Sequence, residues 1–286
     1  MKINRKLIVG ATILLALGLT SCAGQKSDNA SASASATSTC TPSSLQTVTP
    51  NTLTIATGAP AYEPWVLNDK PESGQGFEAA VAYAVAKQLG YETSAVKWVR
   101  TTFDSAIAPG PKTFDFNIQQ YSITTARAKV VDFSSAYYFS NQAIVSSKSS
   151  KIAKVATIAG LAGAKLGAAV GSTSLDTIEK QLGLKPQVFN DNAAAVSALK
   201  NGQIDGLVVD LPTAFYLSAA EVPNGIIVGQ IENRDTNDKG AGLLLAKNSP
   251  ITSCVTKALD TVRSSGELTM IQDKWLTTSA GAPVLK

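Results

Sequence analysis

The 286-residue sequence contains no histidine at all. That removes Ser-His-Asp and Cys-His catalysis and most zinc sites. Cysteines number only three and methionines two. Charged residues make up 16% of the chain and the net charge is +4, so nothing argues for nucleic-acid binding. No glycine-rich phosphate loop is present. The run "GLAGAKLG" at 160–167 precedes a strand pattern instead of opening a helix, which fails the dinucleotide-binding context. Nothing in the sequence calls for a metal or a cofactor.

What is there begins at the N-terminus. Lys2, Arg5 and Lys6 form a basic head, and an apolar run follows over residues 7–19. This order is that of a secretory signal, and the run is short for a membrane span of ~20 residues. It ends in "LTSC", residues 19–22, which resembles a bacterial lipobox. The expectation is a signal peptide over 1–21 and a lipid on Cys22, with more than one acyl chain needed for a stable anchor. A plain signal peptide with an incidental cysteine is the alternative. Residues 22–50 are rich in Ser, Ala and Thr and read as a flexible tether. Removing the head brings the chain close to neutrality. Cys40 and Cys254 then remain in an oxidising compartment, and a Cys40–Cys254 disulfide is expected, with two free thiols as the alternative.

From residue 50 on, strand and helix patterns alternate. "TLTIAT" (52–57), "SAVKWV" (94–99), "TFDFNI" (113–118) and "AIVSS" (143–147) read as strands. Between the first two lies "GFEAAVAYAVAKQLG", a helix with Phe77, Val81, Val85 and Leu89 on one face and Gly90 at its end. A second set follows: strands at 165–170, 185–190, 204–210 and 225–231, with helices opening at "GSTS" and over 192–202. "AGLLLA" (241–246) is a further strand, and 250–276 is helical. The alternation predicts an α/β fold with mostly parallel sheets.

Several short pieces now carry a resemblance: "AYEPW" (61–65), "GFEAAVAYAVAKQLG" (76–90), "FD" (114–115) before "SITTARAKVVDFSSAYY" (122–138), "GSTS" (171–174), "IDGLVVD" (204–210) and "KW" (274–275). In this order they resemble the amino-acid-binding branch (family 3) of bacterial ABC-transporter solute-binding proteins, over about 51–278. The resemblance implies a two-lobe periplasmic-binding-protein-like fold, with two hinge strands and a ligand cleft between the lobes. Lobe one is then 51–145 plus 241–286 and lobe two 146–240. It also implies a monomer that captures an amino acid and passes it to an ABC permease at the outer face of the cytoplasmic membrane. No chemistry on the ligand is needed. A lyase or cell-wall enzyme on the same fold, or a ligand sensor, is the alternative.

The resemblance assigns the site. A free amino acid brings a carboxylate and an ammonium, and burying either unpaired is costly. Arg127 is expected to fork onto the carboxylate, with Ser122 and the N–H of Thr173 at a helix N-terminus beside it. Asp210, at the end of a strand, is expected to meet the ammonium. Read without the resemblance, Arg127 is a surface partner of Asp132 and Asp210 a helix N-cap. Tyr62 and Phe103 match aromatic positions beside the ligand, while Trp65 reads as core. Gln120 shares the face of Ser122 on an extended path, and Arg100 is a candidate to reach the pocket. Many members carry an acid near the end of the first strand. Here Gly58 and Ala59 stand there, which weakens the case for a basic ligand.

Overall fold

The computed structural model describes residues 39–232, 239–276 and 282–286. The expected signal peptide, the Cys22 lipidation site and the tether up to residue 38 lie outside the described residues.

The first strand, β1 (Leu53–Thr57), is buried along its whole length, its two threonines included, as befits an inner strand of a covered sheet. It lies between β2 (Val96–Arg100) and β3 (Phe116–Asn117), parallel to both. Two antiparallel strands complete this sheet, β4 (Val131–Tyr138) and the late β10 (Ala241–Ala246), in the order β2-β1-β3-β10-β4. The helix α1 (Phe77–Gln88) covers one face with α6 (Thr252–Ser264) and α7 (Glu267–Leu276), around Phe77, Phe116, Leu243 and Leu259. Gly76 starts α1 at φ 101°, and a Cβ there would stand 2.5 Å from the Trp65 carbonyl oxygen. Glycine is therefore required at that entry.

The second sheet has the order β7-β6-β8-β5-β9. Its strands are β5 (Gln142–Ser147), β6 (Leu166–Ala169), β7 (Gln187–Phe189), β8 (Gly206–Asp210) and β9 (Gly225–Ile231). β6 runs parallel to β7 and β8, and β5 is antiparallel to β8 and β9. Three helices cover it: α3 (Thr173–Asp176, continuing as a π turn over Thr177–Gln181), α4 (Asn192–Lys200) and α5 (Leu211–Tyr216). The short helix α2 (Phe103–Ile107) belongs to the first unit of structure, capped by the Thr102 hydroxyl. The α/β expectation thus holds, with each sheet mixed and not mainly parallel.

Three expectations change. "TFDFNI" shrinks to the two residues of β3. The lobe boundary at 146 moves back, because β5 already pairs with β8 and β9 from Gln142 on, and Ala143, Ile144 and Val145 pack into the second lobe's cores. The first crossing therefore falls at 139–141. The C-terminus does not remain in lobe one either. Leu276 is buried in the first lobe's core, but Leu285 is buried in the second lobe's core. Val284 bridges Gln230 in parallel, and Leu285 N–H donates to the Gln230 carbonyl at 2.9 Å. The tail thus extends the second sheet beyond β9.

Cys40 and Cys254 form the expected disulfide, with Cα atoms 5.5 Å apart. It joins the start of the described chain to α6 in lobe one.

Candidate functional site

The two sheets face each other across a cleft whose walls come from strand ends and the turns after them. In open α/β sheets this is where ligands collect. The Arg127 side chain sits there and is only 8% exposed. Its guanidinium donates to the Ser122 carbonyl at 2.9 Å and, across the cleft, to the Gly171 carbonyl at 2.8 Å. The Phe103 ring lies beside it, with the guanidinium carbon 5.5 Å from the ring centre. Phe103 is held by stacking on Tyr121 at 4.6 Å. Asp132, the surface partner that a bland reading offers Arg127, pairs instead with Lys247 at 3.0 Å and receives the Thr252 hydroxyl.

Ser122 and Thr173 meet over the same point. Their hydroxyl oxygens are 3.3 Å apart, one from each lobe. Thr173 is the first residue of α3, whose N-cap hydroxyl, that of Ser172, accepts from Leu175 N–H at 3.2 Å. Arg127, Thr173 and Gly171 also line a cavity of about 410 Å³ beside this contact.

Asp210 ends β8 and borders a second cavity of about 360 Å³, together with Gln120, Ser122, Trp65 and Tyr138. It occupies the N-cap position of α5 but makes no side-chain cap bond. Its carboxylate instead accepts from the Gln142 amide at 2.7 Å, and Gln142 in turn accepts from the Ser174 hydroxyl at 2.5 Å. That relay fixes the carboxylate at the cavity wall.

A third cavity, about 70 Å³, is lined by Tyr62, Phe103, Gln119 and Gln120 from lobe one and by Asp191 and Asn192 from lobe two. Tyr62 reaches across to Tyr216, ring centres 5.9 Å apart. Burial pushes the Tyr62 hydroxyl far above its ordinary pKa of 10, and the charges of Glu221 and Asp191 add to the rise. Thr57 also lines this cavity, and its buried hydroxyl oxygen has no protein partner.

Arg100 is not brought in. Its guanidinium is bound to Asp69 Oδ1 at 2.6 Å, to the Asp69 carbonyl and to the Gly58 carbonyl. Asp69, on the turn after "AYEPW", reaches it first. Glu63 also turns away and accepts from Asn68 N–H. Trp65 is buried, as expected of core, but it does more. Its indole N–H donates to the Thr213 hydroxyl of lobe two at 2.7 Å. Glu78 was not singled out in the sequence. It is fully buried and accepts from Gln120 N–H at 2.8 Å, from the Gln120 amide and from the Tyr137 hydroxyl. Burial pushes its carboxyl up to about 7, and the nearby Asp210 charge adds to the rise, while the hydrogen bonds from Tyr137 and Gln120 oppose it. The available signal was an acid inside an apolar helix pattern.

The cleft thus presents a fixed cation, hydroxyls from both lobes and a fixed anion. Among the described residues no cluster of His, Cys, Asp and Glu is placed to hold a metal ion. No helix among them is long and apolar enough to cross a membrane.

Comparison with known proteins identifies relatives of the chain. The chain is 27% identical over 207 residues to the arginine-binding extracellular protein of Bacillus subtilis, covering 71% of this chain and 78% of that one. It is 30% identical over 223 residues to a probable histidine-binding protein of Campylobacter jejuni, covering 75% and 82%. Among solved structures, an arginine-specific periplasmic binding protein of Salmonella typhimurium superposes with a TM-score of 0.65 at 28% identity, covering 79% of this chain and 99% of that one. Residues 53–278 match a single family along their whole length. The chain belongs to the bacterial extracellular solute-binding proteins, family 3.

Proposed function

We propose that this protein captures a free amino acid in the cleft and delivers it to an ABC importer. The observation that carries this reading is the pairing of Arg127, beside Ser122 and Thr173, with Asp210 on the same cleft. A zwitterion needs both charges met at once, and each charge-assisted hydrogen bond contributes about 1.5–3 kcal/mol. In this reading Arg127 exchanges carbonyl partners for the ligand's carboxylate, and Asp210 takes the ammonium. Tyr62, Phe103 and Gln120 flank the side chain. Closed lobes offer contacts from both sides, so ligand binding favours closure. The relatives' names, arginine-binding and histidine-binding, support an amino acid as the ligand class.

The reading includes no enzyme chemistry. Asp210 is engaged by Gln142, and Glu78 by Gln120 and Tyr137. In this reading a lipid on Cys22 holds the monomer at the outer face of the cytoplasmic membrane.

A calorimetric titration of the purified protein, stripped of carried-over ligand, against the common amino acids tests the proposal. Saturable binding of one or a few is expected, with Arg127→Ala weakening it at least about 100-fold. Absence of binding to every amino acid by folded protein refutes it.

A further inference from the structure

Glu78 is the second residue of α1 and has no exposure to solvent. A buried carboxylate is tolerated only with hydrogen bonds, and two of the three that Glu78 receives come from one residue, Gln120. Tyr137 supports the same pair, since its hydroxyl both donates to Glu78 and accepts from Gln120 N–H at 3.1 Å. Gln120 has φ of 50°, a left-handed conformation that a non-glycine residue keeps only when its surroundings hold it. It is also the residue, with Trp65, that walls both the Asp210 cavity and the Tyr62 cavity.

We propose that Glu78 is a positioning residue of the binding cleft, holding Gln120 in its left-handed turn so that the segment from Gln120 to Ser122 faces the bound solute. With the main-chain N–H and one amide N–H of Gln120 both engaged by Glu78, the orientation of its side chain is fixed on the wall it shares with Asp210. Glu78 does not itself border the described cavities, so its effect passes through Gln120. The inference rests on the amino-acid-binding reading above for its effect on affinity, but not for its effect on the turn.

The test is a double-mutant cycle on the purified protein with L-arginine, L-histidine and L-glutamine as probes. Glu78→Gln removes the charge at constant shape. Gln120→Gly removes both the side chain and the conformational strain, since glycine accepts positive φ freely. Glu78→Gln is expected to weaken binding of whichever probe the wild type takes by about tenfold, and by less than about threefold in the Gln120→Gly background. Hydrogen exchange in the ligand-free protein gives a second, ligand-independent readout. Residues 119–122 are expected to exchange about tenfold faster in Glu78→Gln, with α1 and β4 unchanged. A merely structural role for Glu78 lowers the melting temperature and slackens α1 as well, and leaves the cycle additive. Additive affinities, or unchanged exchange at 119–122, overturn the inference. If wild type binds no probe, the amino-acid reading is put in question while the exchange arm still decides the role of Glu78.

Discussion

Replacing Thr213 by valine keeps the side chain's shape and removes the oxygen that receives the Trp65 indole N–H at 2.7 Å. Trp65 belongs to lobe one and Thr213 to α5 of lobe two, so the bond exists only while the lobes meet. The two residues are 2% and 3% exposed, which leaves no room for water to substitute. With valine in place the closed form holds an unsatisfied buried donor, at a cost of about 1–3 kcal/mol. When the lobes part, water satisfies the indole and the cost disappears. The penalty falls on closure alone, and a solute gripped from both lobes loses about 5- to 150-fold in affinity. Thr213 itself borders none of the three cavities. Calorimetric titration of wild type, Thr213→Val, Trp65→Phe and the double variant reads the effect. Trp65→Phe removes the donor, so adding Thr213→Val to it is expected to cost less than about twofold. An affinity for Thr213→Val within twofold of wild type refutes the reasoning. So does a valine penalty that persists undiminished in the phenylalanine background.

Cys40→Ser opens a loop of 214 residues, worth about 5 kcal/mol in the chain-entropy account, and is expected to lower the melting temperature markedly. Protein beginning at residue 23, denatured without reductant, should show no reactive thiol. Glu78, raised from 4.5 to about 7 by burial, binds a proton more readily folded than unfolded. Its contribution therefore makes stability fall as pH rises from about 4.5 to about 7, by on the order of 3 kcal/mol, and level off above that. Melting curves of Glu78→Gln should lack this component, and an unchanged slope against wild type would count against the shift. Arg100→Ala breaks a half-exposed ion pair with Asp69 worth about 0–1 kcal/mol, and solute affinity should stay within about twofold of wild type.

Much of the frame was legible because it is local. The alternating, β-branched run of β1, the periodic face of α1 and the pattern "IDGLVVD" ending at Asp210 each declare themselves within a few residues. The pieces that carried the resemblance placed Arg127, Ser122 and Thr173, and the structure brings these three together. What escaped depends on partners far away in the chain. Trp65 reads as core until α5 arrives with Thr213, 148 residues later. Arg100 reads as a pocket candidate because nothing in "KWVRTTF" announces that Asp69 will claim it. Gln120 was expected on an extended path and instead turns left-handed, because the acid that receives it sits 42 residues away. β5 was placed on the wrong side of the boundary because an apolar strand carries no mark of which sheet will pair with it.

The tail after α7 bears on how such a molecule can be taken apart. A segment running from β5 through β9 looks like a self-contained insert, ready to be excised or exchanged with a relative. It is not one. Gly229 has no side chain where the Leu285 side chain lies, and both backbone groups of Gln230 are satisfied by Pro283 and Leu285. Cut at two points, the segment would keep an open sheet edge and a groove over Gly229 that its own residues cannot fill. A chimera built on this scaffold needs three junctions, with residues 282–286 travelling with the second lobe. The last five residues of the chain thus belong to a unit that their position in the sequence would never assign them.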